Sequence, residues 1–172
     1  MRKITRTAVL NHFYCGRKAY LHLFSQEREQ ACDYATLMER RREDARIEYA
    51  NRLRLQDAQI KTFSLNGLRE GAALLSDAKL STELFVTECA FLIKVEGKSC
   101  FGPYQYQPAI AASTCDVRPE DRIEALFTGH VLSQIQDALP SHAIVLLPGG
   151  DQTKVKMDTG LRQLLPHLHS LG

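Results

Sequence analysis

The sequence has no tryptophan, only six prolines, ten glycines and five cysteines in 172 residues, and no long uncharged apolar run. Each shortage excludes a class. The proline and glycine content is too low for a collagen-like or low-complexity chain. Cys15, Cys32, Cys89, Cys100 and Cys115 are odd in number, widely spaced and never form a C-x-x-C pair. Neither a disulfide framework nor a zinc knuckle is therefore indicated, and a reducing cytoplasm is the expected setting. No run of about 18 apolar residues escapes a charge, so no membrane span is expected. The Met1-Arg2-Lys3 start leads into a segment broken by Asn11, His12, Arg17 and Lys18, unlike a signal peptide. Also missing are G-x-x-x-x-G-K-S/T, G-x-G-x-x-G, H-E-x-x-H and G-x-S-x-G, so nucleotide and serine hydrolysis lose their usual support. His167 and His169, two apart on an expected helix, face different ways and make no metal pair. Gly149-Gly150 reads as a turn that needs no ligand.

What is present is ordinary for a folded chain: 44% hydrophobic and 24% charged residues, with a formal net charge of +2. One domain over 1–172 is expected, burying roughly two thirds of its unfolded surface. The charge is uneven. Residues 1–54 hold 12 Lys and Arg against 7 Asp and Glu, and the remainder 10 against 13. Such asymmetry fits either a polyanion-facing surface or a solvated helix.

Periodicity divides the chain into a mainly helical part, 1–80, and an α/β core, 81–172. A helix capped by Thr5 or Thr7 would carry Leu10, Phe13, Tyr14, Tyr20, Leu21 and Phe24 on one aromatic face, expected to be buried. After a polar break at 25–30, Met38, Ala45, Tyr49 and Leu53 mark a longer, mostly exposed helix. Glu39/Arg42, Glu43/Arg46 and Glu48/Arg52 sit on it at pairing distance. A short helix is expected over 66–79, with Leu68, Ala72 and Leu75 on one side. Strand formers then run over 84–95, and Glu96-Gly97-Lys98-Ser99 turns into a second strand over 104–113, making a hairpin. Tyr104 and Tyr106 alternate onto one face with Ile110 and Ala112, as packing residues. Pro119-Glu120-Asp121 starts a helix reaching 138, with Ile123, Phe127, Val131, Ile135 and Ala138 as its buried stripe. A buried strand at 142–147, a short one near 153–156 and a helix with Leu161, Leu164, Leu165 and Leu168 complete the chain. The expected class is α/β, a mixed sheet flanked by helices.

Three segments resemble, in order, the RecB-like and CRISPR-associated-exonuclease branch of the PD-(D/E)XK nuclease superfamily. Asn11-His12-Phe13-Tyr14-Cys15-Gly16-Arg17-Lys18-Ala19-Tyr20-Leu21 is similar to its opening "C-x-R-x-(A/F)-(F/Y)-L" helix. Cys89-Ala90-Phe91-Leu92-Ile93-Lys94-Val95 resembles its "P-D-(F/L)-L-(I/V)-(K/R)-V" strand. Phe101-Gly102-Pro103-Tyr104-Gln105-Tyr106-Gln107-Pro108-Ala109-Ile110-Ala111-Ala112 resembles the "G-x-(W/Y)-x-Y-x-(V/P)-x-D-x-K" segment. The match spans residues 5–147 and implies a restriction-endonuclease-like core with N-terminal helices.

In an active member, one acid on the first strand and an acid with a lysine on the next hold divalent metal and position the attacking water. The resemblance puts Ala90 and Ile110 at the acid positions and Ala112 at the lysine. The Q-x-x-x-Y positions of the following helix become Arg122 and Leu126. Side chains without oxygen cannot ligate a hard cation such as Mg²⁺. Glu88, on the same strand face as Ala90 by alternation, and Asp116 are the only acids placed for a rescue. Cys15 matches the first ligand of the iron–sulfur cluster of some relatives, but no cysteine follows Cys115, so no cofactor is expected. The resemblance thus implies an inactive nuclease fold kept as a binding or scaffolding subunit with an unidentified protein partner and no membrane. An active nuclease using displaced acids and a protein-only module are the alternatives. Nucleic acid, if bound, would meet Arg17, Lys18, Arg40, Arg41, Arg42, Arg46, Arg52 and Arg54 without sequence preference. The other reading of these arginines is a solvated helix paired to Glu39, Glu43 and Glu48.

Overall fold

A computed structural model describes residues 3–24, 33–56 and 58–170. The chain opens with strand β1 (Ile4–Thr5), helices α1 (Arg6–Tyr14), α2 (Gly16–Phe24) and α3 (Asp33–Leu55), strand β2 (Ile60–Thr62) and the short α4 (Leu65–Arg69). It continues with β3 (Leu74–Ser81), β4 (Phe85–Ser99), β5 (Gly102–Ala111), α5 (Pro119–Gln136), β6 (His142–Leu146), β7 (Gln152–Lys156) and α6 (Met157–His169). The class is α/β with a mixed, open seven-stranded sheet: six strands in the order β2-β3-β4-β5-β6-β7, and β1 off this path, parallel to β4. β3, β4 and β5 form an antiparallel meander. α5 crosses to β6, which runs parallel to β5, and β7 returns antiparallel. Among the described residues no helix is long and apolar enough to cross a membrane.

The two sheet faces have different covers. On one, α5 packs with Leu75, Leu80, Cys89, Leu92, Tyr106, Ile110 and Val145, and α1 and α6 extend that core. On the other, α3 lays Tyr49, Ala50 and Leu53 on Phe91, Ala109, Ile144 and Leu146, with the Tyr49 and Phe91 rings 5.4 Å apart. The expected stripe on α3 is therefore its sheet-facing side, a consequence of helical spacing. α5 begins as its Pro-Glu-Asp opening requires, with the Asp121 carboxylate accepting the Arg118 N–H at 3.0 Å.

Several expectations are corrected. The first helix breaks at Cys15, whose extended backbone ends α1 and lets α2 start anew. The aromatic face is consequently only partly buried: Phe13 packs against the core, whereas Tyr14 and Tyr20 are 63% and 62% exposed and Leu21 is exposed, and Ala8, Val9, Asn11 and Ala19 go inside. Thr5 is the cap, its hydroxyl accepting the Ala8 N–H. The helix expected over 66–79 is five residues of α4, stopped at Gly71 (φ 69°), and then strand β3. Leu68, Ala72 and Leu75 are buried as their spacing demands, but across a turn. β4 continues through the expected turn to Ser99 with an irregularity between Glu96 and Ser99, so the reversal falls at Cys100-Phe101. The Phe24 side chain, the break at 25–30 and Cys32 lie outside the described residues.

Tyr106, Ile110 and Ala112 share the α5 side of the core, with Tyr104 packed against it, as alternation requires. The phenol of Tyr106 donates to Ala72 O (2.9 Å), and that of Tyr104 to Arg69 O (2.7 Å). Both hold the α4 turn on the sheet, as packing residues do. Beside them, fully buried Gln136 substitutes for a strand. It accepts the Tyr106 N–H at 2.8 Å and donates to Tyr106 O and Ala138 O, satisfying β5 where β6 does not reach.

Candidate functional site: a fork in the sheet

The strands β4 and β5 part company at one point. Their pairing ends at Phe91–Ala109, and beyond it Ile110 and Ala111 pair only with β6. β1 takes the vacated side of β4 only at Phe85 and Val86. Residues 87–90 of β4 therefore face a fork rather than a neighbour strand. On the other side of β4, Asp77 stands opposite Ala90, between the pairs Ser76–Phe91 and Ala78–Cys89. Asp77 has a left-handed backbone (φ 56°). There the inward face of β3 switches from Leu75 to Ala78, since strand alternation alone would put them on opposite faces.

A pocket of about 350 Å³ fills the fork. Cys89 and Ile110, which face α5, and Ala90 and Ala111, which face α3, all line it, so it opens through the sheet. Through this window α3 reaches α5. Arg42 Nη1 donates to Glu124 Oε2 at 2.9 Å, and Arg6, the first residue of α1, donates from Nη1 to Glu124 Oε1 at 2.9 Å. Arg42 Nη2 also lies 3.6 Å from Asp121 Oδ1. Glu124 and Asp121 are 3% and 2% exposed, so their charges depend on these guanidinium groups. Burial lowers the affinity of Arg42 for its proton, but the charges of Glu124 and Asp121 more than reverse this. Asp121 is held above the ordinary carboxyl range by burial, against the pull of the Arg118 N–H and Arg42. Burial, and then the Glu124 charge, push the Cys89 thiol up, which makes it a poor nucleophile.

The rim is paired too. Arg46 donates to Asp77 Oδ1 at 2.6 Å and twice to Glu43, at 2.8 and 2.5 Å, and this bonding lowers the Glu43 carboxyl. Glu88 lines the pocket, but its carboxylate sits 3.1 Å from Lys79 Nζ and is largely exposed. Asp116 lies in the exposed loop before α5, and the pocket lining does not include it. Among the described residues no three His, Cys, Asp or Glu side chains are grouped to hold a metal ion.

Of the positions singled out in the sequence, Ala90 and Ile110 meet at the fork, whereas Ala112 is fully buried in the α5 core. Arg122 and Leu126 line a different groove, beside β7 and α6. The basic residues scatter. Arg42 and Arg46 point into the fork. Arg52 donates to Gly150 O while Glu48 accepts the Gly149 N–H at 2.8 Å, so both hold the β6–β7 turn instead of each other. Arg54 donates to Asn51 at 3.1 Å. Arg17, Lys18, Arg40 and Arg41 are exposed. The sequence reading missed Arg6, Asp77 and Glu124; the only signal for Glu124 was its place one turn after the α5 opening. No protein-family model matches this chain, and no curated protein matches it.

Proposed function

We propose that this chain is a nuclease-fold protein without a working metal site that serves as a binding or scaffolding subunit in a nucleic-acid-processing or other multiprotein assembly. One observation carries the reading. At the fork, where the RecB-like pattern calls for metal ligands, stand Ala90 and Ile110, and Glu124, Asp77 and Glu43 around them are already paired with arginine. A hard divalent ion needs free carboxylates and water. Here Glu124 has both oxygens engaged by Arg6 and Arg42, and Asp77 is held by Arg46. Guanidinium groups supply the positive charge that a metal would bring. The β3-β4-β5 meander with its α5 crossover to a parallel β6 supports the restriction-endonuclease-like assignment, as do the three motifs in order. The free Cys15, Cys89, Cys100 and Cys115 support a cytoplasmic setting.

Protein contact is favoured over phosphate contact, because Arg42, Arg46 and Arg52 are spent inside the molecule. The test is incubation of the full chain with labelled linear duplex and single-stranded DNA in Mg²⁺ or Mn²⁺. No cleavage is expected; metal-dependent cleavage abolished by Glu88→Ala or Glu124→Ala overturns the proposal. A DNA titration at two salt concentrations then places the partner. Contact through Arg17, Arg40 and Arg41 would show as a logarithmic salt slope that falls by about 0.9 for each residue changed to Gln.

A further inference from the structure

The strand β7 ends the sheet, and its outer side pairs with no strand among the described residues. Beside it runs a groove of about 710 Å³ between β7, α5 and α6. Val155 points into the α5 core, so Lys154 and Lys156 point to the other face by alternation, yet all three line the groove. The groove therefore follows the outer edge of the strand. Phe13, Ile123 and Leu164 give it an apolar wall, and Arg122 joins the two lysines as its charge. Among the described residues, three cations and no acid line it. The acids that flank it are occupied: Glu120 accepts from the Tyr14 phenol, and Asp158 lies 3.4 Å from Arg162.

We infer that the β7 edge and its groove take an extended acidic segment of a partner protein, which adds to the sheet as a further strand. The unpaired backbone of β7 supplies main-chain hydrogen bonds, the groove takes alternate apolar side chains, and Arg122, Lys154 and Lys156 meet carboxylates. A second copy of this chain is disfavoured, because two β7 edges would set lysine against lysine. The lysines also guard the free edge against aggregation while no partner is bound. This names the partner for the binding role proposed above; it stands or falls separately from the cleavage assay, which does not involve the groove.

The probe is a random twelve-residue peptide library displayed on phage and selected on the full chain. Enriched peptides should alternate Asp or Glu with large apolar residues, and one synthesised for titration should slow amide exchange across 152–156. Lys154→Glu with Lys156→Glu should weaken it about tenfold or more, and the milder Gln pair less, since both positions are exposed and leave the core intact. Arg122→Glu on α5 should weaken it independently of β7. No enrichment, peptides enriched without acids, binding indifferent to these changes, or binding without protection of 152–156 would each overturn the inference. So would a dimer of the free chain paired through β7.

Discussion

Arg42 on α3 and Glu124 on α5, helices on opposite faces of the sheet, meet at 2.9 Å through the fork between β4 and β5. The contact ties the two outer layers together.

Removing one partner should therefore cost stability. Arg42→Met leaves Glu124 buried with Arg6 alone and is expected to destabilise by about 3 kcal/mol, the low end for breaking a buried pair because Arg6 remains. Glu124→Met leaves the half-buried Arg42 without its acid and should cost a similar amount. The double change Arg42→Met with Glu124→Met should cost less than the two single losses combined. Urea unfolding of the four proteins measures the coupling.

Asp121 predicts a pH dependence with a definite sign. Burial raises its carboxyl on folding. A group so shifted contributes stability below its unfolded pKa and loses it as pH rises through the folded one. Asp121→Asn should accordingly gain on the parent as pH climbs from about 4 to 7. Glu43, lowered by its hydrogen bonds from Arg46, has the opposite sign and a lower window: its contribution is lost as pH falls below about 4.5, so Glu43→Gln should regain ground on the parent there and trail it above. A gap independent of pH in either case would show that the group does not titrate on folding.

Gln136→Ala should cost about 2–3 kcal/mol, because it leaves the backbone of Tyr106 without partners in a site closed to water. Chemical denaturation gives the loss, and amide exchange at Tyr106 should quicken well beyond that of its neighbours.

The two glycines of the β6–β7 turn should differ. Both have left-handed φ, 86° and 85°, but a Cβ on Gly149 meets open space, whereas one on Gly150 would lie 1.7 Å from the Arg52 guanidinium. Gly149→Ala should cost about 1 kcal/mol from the backbone alone. Gly150→Ala should cost more, and Arg52→Ala should return part of the excess. Equal losses at the two positions would mean that Arg52 does not press on the turn.

Local pattern alone determined much of this molecule. The stripe Met38, Ala45, Tyr49 and Leu53 makes α3, Pro119-Glu120-Asp121 starts α5, and alternation puts Tyr106 inside with Ile110, since each depends on spacing between near neighbours. The absence of oxygen-bearing side chains at Ala90, Ile110 and Ala112 is equally plain in the chain itself. What only the tertiary structure decided rests on distant partners. The same Leu68, Ala72 and Leu75 spacing fits a helix or a turn into a strand, and pairing of β3 with β4 selects the strand. Cys15 breaks a face that would otherwise have read as buried. The arginines of α3 had nearby glutamates at pairing distance. Arg42 nevertheless turns to Glu124, 82 residues away. An exposed pair gains little in water, while a buried carboxylate demands a cation.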